Sequence, residues 1–311
     1  MLVWVLGGLV LSLIIAGAAL QYAIMRNGPA VLSAVDRIAG GSGDAKLIAR
    51  IALGESDAQK AVVWGPAERR ADDPALPVLL FAHGGSWRSG DPDDYGFIGR
   101  AFVPNGFITV LAGYRLHPDA VYPAMIEDTA RAIAWTREEI AQYGGDPDRI
   151  ILIGHSAGAY NVTMTALEEQ WLGREGHSPR NLAGVVGLSG PYDFYPFSSD
   201  STRNSFGAAK DPESTQPIAH VRGDAPPFML IHGERDTLVK IRNSQELDRR
   251  LSEAGASSRL LSIPDMTHND PLISLAAPWR NSRGLHAEIV EFAQNPDRML
   301  TTSVSVHSDM R

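Results

Sequence analysis

From residue 78 onward the chain alternates short, largely apolar runs with longer segments of helical periodicity. Val78–Ala82, Phe107–Ala112, Ile150–Ile153, Ala183–Leu188, Phe228–Ile231 and Leu260–Ile263 are such runs. Strands buried on both faces of a parallel sheet read this way, because neither face meets water. The clearest helical segment is Ala124–Tyr143, where Ile126, Ala130, Ile133, Ala134 and Ile140 share one face and Gly144-Gly145 closes the end. Strands alternating with helices predict an α/β fold with a mostly parallel central sheet flanked by helices, its chemistry at the strand C-terminal ends. Two earlier strands are predicted at Lys46–Ala52 and Lys60–Trp64, joined by the polar turn Gly54-Glu55-Ser56-Asp57, and residues 66–77 read as an exposed loop.

The opening of the chain follows a different pattern. Met1 to Met25 carries no charge and is apolar almost without break, which is long enough to span a bilayer as a helix of about 20 residues. A single N-terminal transmembrane anchor over residues 1–25 is therefore expected. The alternatives are export after signal cleavage, with Ala16-Gly17-Ala18 as the small-residue site but no basic residue before the apolar run, and a buried helix of a soluble body. Arg26 and Arg37 follow the segment and weakly favour a cytoplasmic body, and the side of the membrane stays open. Residues 26–45 read as a polar connector with a short helical pattern at Val31, Leu32, Val35 and Ile38, residues 46–295 as one catalytic domain, and residues 296–311 as a polar tail.

Composition narrows the chemistry. The 311 residues include 44% hydrophobic and 21% charged residues, enough to bury a globular core. A net charge of -8 with no basic stripe excludes a nucleic-acid partner. With no cysteine there is no disulfide, no thiolate metal site and no thiol nucleophile. No metal or organic cofactor is called for, and the oligomeric state is open.

Gly154-His155-Ser156-Ala157-Gly158 follows the strand 150–153 and precedes a helix-permissive run to Leu167. A turn sharp enough to join strand to helix there holds Ser156 in a strained conformation and leaves no room for side chains two residues either side, hence the glycines. Ser156 is the candidate nucleophile. His83-Gly84-Gly85-Ser86-Trp87 ends the strand 78–82, and small residues there let backbone amides approach a substrate oxygen. The amides of Gly85, Ser86 and Ala157 are the candidate oxyanion hole, with Gly84 in reserve. Trp87 reads as a packing anchor beneath this loop. Downstream of such an elbow the acid precedes the base, each on a loop after a strand. His268, after the strand 260–263, fits the base, with His286 as runner-up. Asp236, in His232-Gly-Glu-Arg-Asp236 after the strand 228–231, is chosen over Glu234 as the orienting acid, with capping of a helix starting at Leu238-Val239 as its alternative role. Asp265 and Asp270 read as solvated loop charges.

On these motifs the chain resembles the esterase/lipase branch of the α/β-hydrolase superfamily. His83-Gly-Gly-Ser-Trp87 is similar to the His-Gly-Gly-x-Trp form of kynurenine formamidases, isoprenylcysteine methylesterases and bacterial feruloyl-esterase-like hydrolases. Tyr114-Arg115-Leu116, Pro123-Ala-Met-Ile-Glu-Asp128 and Tyr143-Gly-Gly-Asp-Pro-Asp-Arg149 resemble the stretches leading into their elbow, and the resemblance covers roughly Lys46 to Asn295. It implies a Ser156–Asp236–His268 triad and a serine carboxylesterase acting on short to medium acyl esters, with a small-molecule ester as its partner. An amide hydrolase of the arylformamidase type on the same machinery is the alternative, and an inactive membrane-tethered binding protein is a third reading. Residues 190–227, rich in Pro, Ser and aromatics, are expected to form a wall or cap over the acyl site.

Overall fold

The computed structural model describes residues 2–41, 43–70 and 72–296, the side chains among them being those of residue 12 and of residues 15 onward. The expected polar tail after Pro296, with His307, lies outside the described residues. Eight strands form one sheet: β1 (Ala45–Ala52), β2 (Lys60–Pro66), β3 (Leu76–Ala82), β4 (Ile108–Ala112), β5 (Gly145–His155), β6 (Gly184–Leu188), β7 (Phe228–Gly233) and β8 (Ser258–Ile263). Their spatial order is β1-β2-β4-β3-β5-β6-β7-β8. Only β2 runs against its neighbours, and β4 through β8 pair in parallel across β3 and β5. This is the α/β-hydrolase fold.

Both faces of the sheet are covered. Val78, Leu80, Val110, Ile150, Leu152 and Val185 point to one core, and Leu79, Phe81, Leu111, Ile151, Ile153 and Val186 to the other. The flanking helices are α1 (Leu2–Ile38), α2 (Gly96–Phe102), α3 (Ala124–Glu139), α4 (Ala157–Leu167), α5 (Gln170–Arg174), α6 (Asp200–Phe206), α7 (Arg242–Ala254), α8 (Asp270–Ile273) and α9 (Leu285–Gln294). The helix predicted over 124–143 is α3 plus a 3-10 turn at Ile140–Tyr143, closed by Gly144 at φ 84°.

The largest departure is at the N-terminus. Residues 2–38 form one helix kinked at Asn27 (φ -156°, ψ 79°), so most of the expected connector is helical. Its second half is bolted to the body. Asp36 is fully buried and accepts from Arg100 Nε at 2.6 Å, Arg280 at 2.8 Å and the Ala277 amide at 2.8 Å, while Ser33 accepts from Arg100. A lone buried carboxylate would be costly, and two guanidinium groups with an amide satisfy it here. The expected membrane-spanning anchor gains no support: among the described residues no helix is long and apolar enough to cross a membrane. Most side chains of residues 1–14, on which that expectation rests, lie outside the described set.

Candidate active site

The C-terminal ends of β3, β5, β7 and β8 converge on one point. At the end of β5, Ser156 has φ 54° and ψ -119°, a backbone region that L residues avoid. Its neighbours show why glycine flanks it. A Cβ on Gly154 would lie 2.4 Å from the Gly158 carbonyl oxygen, and one on Gly158 would lie 2.1 Å from that of Ala82. These contacts are with backbone and cannot yield.

The structure brings the three predicted side chains together. His268, on the loop after β8, places Nε2 at 2.9 Å from Ser156 Oγ. Its Nδ1 lies 2.7 Å from Asp236 Oδ2, on the loop after β7. All three residues are buried, with Ser156 9% and His268 8% exposed. Asp236 makes contacts on both sides: Oδ2 faces His268 while Oδ1 accepts from the amides of Leu238 and Val239 at 2.8 and 2.9 Å, closing a turn where the expected helix does not start. The helix expected to begin at Leu238 instead begins at Arg242, and Leu238 is exposed. Burial pushes the Asp236 carboxyl upward. Hydrogen bonds from His232, His268 and the Val239 amide, with the charge on His268, more than reverse this and hold it well below the usual carboxylate range.

Two histidines that the sequence reading passed over brace this relay. His155, buried next to Ser156, donates through Nε2 to the His268 carbonyl at 3.1 Å. Burial, reinforced by the neighbouring His268, lowers its pKa to about 3, so it acts as a neutral strut. His232 lies against Asp236. His286 is elsewhere: it is buried on α9, with Nε2 donating to the Ala101 carbonyl at 2.9 Å. Asp265 is exposed, as expected. Asp270 departs from expectation by accepting from the Thr267 amide and hydroxyl at 2.6 and 2.7 Å, which fixes the loop bearing His268.

The loop after β3 lies across the elbow. A Cβ on Gly84 would sit 3.2 Å from Ser156 Cβ, and one on Gly85 (φ 122°) would be 1.9 Å from the Ser89 carbonyl oxygen. Ser86 and Trp87 follow at φ 56° and 57°, a strained course held by what surrounds it. Among the described residues, the amides of Gly85, Ser86 and Ala157 donate to no backbone carbonyl. His83 anchors the start of the loop, stacked on Tyr114 with its Nδ1 donating to the Gly84 carbonyl at 2.8 Å, and burial lowers its pKa to about 4. Trp87 is buried edge-on to Tyr160 and Phe206 and donates to Asn161 of α4, the packing anchor that was expected.

Residues 190–227 close over this side. Ser201 of α6 donates to the Ser86 carbonyl at 2.7 Å, Tyr122 donates its amide to Ser205, and Tyr160 donates its hydroxyl to Thr215. Phe194, Phe197 and Phe206 cluster with Trp87 and Tyr160. Tyr192 turns wholly into the core, whereas Tyr195 stays exposed. Among the described residues no cluster of His, Asp or Glu is arranged to hold a metal ion.

The arrangement has relatives. The chain is 33% identical over 223 residues to "Esterase LipQ" of Mycobacterium tuberculosis, covering 66% of this chain and 52% of that protein. It is 28% identical over 269 residues to "Probable isoprenylcysteine alpha-carbonyl methylesterase ICMEL1" of Oryza sativa, covering 79% and 62%. The chain thus spans between about half and three fifths of the length of these curated relatives. Among solved structures, esterase B of Lactobacillus rhamnosis aligns with a TM-score of 0.71 at 20% identity, covering 93% of this chain and 98% of that one. A carbohydrate esterase from gut microbiota aligns at 0.69 and 20% identity, covering 81% and 97%. These two likenesses bear on fold alone. The BD-FAE family model matches residues 66–251, a span that takes in the β3 loop, the elbow and Asp236, and the chain therefore belongs to the BD-FAE family.

Proposed function

We propose that the protein is a serine carboxylesterase that cleaves short to medium acyl esters through an acyl-enzyme. The reading is carried by the relay of Ser156 Oγ, His268 Nε2 and Asp236 at 2.9 and 2.7 Å on a strained elbow, and the esterase names of the relatives support it. His268 takes the hydroxyl proton as Ser156 attacks the ester carbonyl. The oxyanion accepts from the amides of Gly85, Ser86 and Ala157, and His268 then gives its proton to the departing alkoxide. Water repeats the sequence on the acyl-enzyme and releases the acid. Asp236 fixes the imidazole tautomer and stabilises the imidazolium. The partly buried rings of Phe194 and Phe197, backed by buried Phe206, favour compact apolar groups on the substrate.

A panel of p-nitrophenyl esters of rising chain length tests this, with N-formyl-kynurenine as the amide arm. Turnover should peak at short or medium acyl chains, and a preference for the formamide would move the assignment to the arylformamidase alternative. Ser156→Ala should lose at least about a thousandfold in kcat/KM while remaining folded. Near-normal turnover in that variant would overturn the proposal.

We also infer that the first part of α1 contacts a lipid surface. Ile15, Leu20, Tyr22, Ile24 and Met25 are all exposed. The kink at Asn27 is held by Asp94, so this part leaves the body next to the segment that follows the β3 loop. Sedimentation with vesicles should separate the full chain from one lacking residues 1–25, and equal partition to the supernatant would refute the contact.

A further inference from the structure

Two imidazole nitrogens approach the Asp236 oxygen that faces the base. Besides His268 Nδ1 at 2.7 Å, Oδ2 lies 3.2 Å from Nε2 of His232, a wholly buried residue at the end of β7. The same Nε2 lies 2.9 Å from the Val239 carbonyl oxygen, and His232 Nδ1 lies 2.8 Å from Ser244 Oγ on α7. A carbonyl only accepts, so Nε2 must hold the proton, and the Ser244 hydroxyl then donates to bare Nδ1. In this tautomer every partner is satisfied. The opposite one would set a lone pair against two oxygens inside the core.

We propose that His232 is a positioning residue for the triad, its Nε2–H shared between Val239 O and Asp236 Oδ2, and that it weakens the grip of Asp236 on the imidazolium formed at His268. The proposal rests on the esterase reading of the site. Asp236 has no freedom to rotate: the Leu238 and Val239 amides hold Oδ1 while the two histidines hold Oδ2. Charge on Oδ2 is divided between two donors, and each receives less of it. Other titratable groups nearby act less directly. His155 bonds the His268 carbonyl and sets its neutral ring 5.0 Å from that of His268, Glu234 is engaged by Ser262, and Arg235 faces Asp265 in solvent. Removing the His232 donor concentrates charge on Oδ2, tightens the imidazolium and keeps the base protonated to higher pH.

The full chain should be labelled at Ser156 with a fluorophosphonate across pH, in wild type, His232→Leu and His232→Gln. In His232→Leu the acid limb of the labelling rate should move up by about half a pH unit or more, a roughly threefold loss on the limb. The Gln side-chain N–H reaches the same two oxygens, so His232→Gln should keep the wild-type limb. An unmoved limb in the Leu variant, or an equal shift in both, would overturn the proposal, since lost packing alone produces no proton-dependent rescue. Should the variants fail to fold, 15N spectra of the wild type decide: a protonated Nε2 with a bare Nδ1 on His232 supports the proposal, and the reverse tautomer ends it. Wild type that takes no label counts against the esterase reading, and the tautomer result still decides the placement of His232.

Discussion

At Ser156 the chain stores strain of about 1–3 kcal/mol in one residue, at φ 54° and ψ -119°, and sets the hydroxyl before His268. The adjoining backbone tolerates no substituent. Gly158→Ala would drive a Cβ to 2.1 Å from the Ala82 carbonyl oxygen, so it should destabilise the fold by about 1–3 kcal/mol and slow fluorophosphonate labelling of Ser156 more than about tenfold. Wild-type labelling with an unchanged Tm would show that the turn has room. His268→Ala should cost at least about a thousandfold in kcat/KM, whereas His286→Ala should stay within about twofold, because His286 bonds the Ala101 carbonyl and packs on Phe102, away from Ser156. Reversed outcomes would reassign the base. The elbow was legible in the sequence because its glycine spacing stands between a strand and a helix, even though the contact that excludes a side chain at Gly158 comes from Ala82 on β3, and Asp236 and His268 because they follow strands in the required order. His155 and His232 were not: one braces a carbonyl 113 positions away, and the other meets Asp236 through a loop geometry that no spacing rule announces.

Among the elements, strands buried on both faces wrote themselves plainly into the sequence, and the six apolar runs with the two earlier predicted strands became β1 through β8 with ends shifted by a few residues. Helix α1 did not. Asp36 looks like any solvated charge in a polar connector, since its partners Arg100 and Arg280 stand 64 and 244 positions away. Their exposure decides the energetics. Asp36 is wholly buried and the Arg100 and Arg280 side chains are 8% and 15% exposed, so Asp36→Ala leaves two nearly dry guanidinium groups unpaired and should cost about 3–5 kcal/mol. Asn27→Ala removes an exposed bond to Asp94 and the cap on the Ala30 amide and should cost about 1–2 kcal/mol. Chemical denaturation of the two variants measures both. Equal small losses would mean that α1 is not fastened through Asp36.

Taken over the whole molecule, the site's rigidity sets a limit on the acid side. Packing dry neutral histidines under the β3 loop and the elbow fixes geometry, but it places His83 and His155 at about 4 and about 3 when folded, against 6.5 for an unfolded histidine. Below pH 6.5 the unfolded chain therefore binds protons that the folded chain refuses. Each histidine withdraws up to about 1.4 kcal/mol of stability per pH unit as the pH falls toward its folded value. Asp236 adds to this at lower pH, since a carboxyl depressed on folding contributes stability above its unfolded value and loses it as pH falls further. Tm should thus be nearly level above about pH 7 and fall steadily from about pH 6.5 to 4. His155→Gln keeps a donor for the His268 carbonyl while removing the titration, so it should lower the slope of stability against pH by about one proton in that window. Calorimetric scans of both proteins between pH 4 and 8 compare the slopes, and identical slopes would mean that His155 does not stay neutral in the fold. The strut that holds the base in register would then have to be charged, and its bond to the His268 carbonyl would need a counter-charge that neither the elbow nor the β3 loop offers.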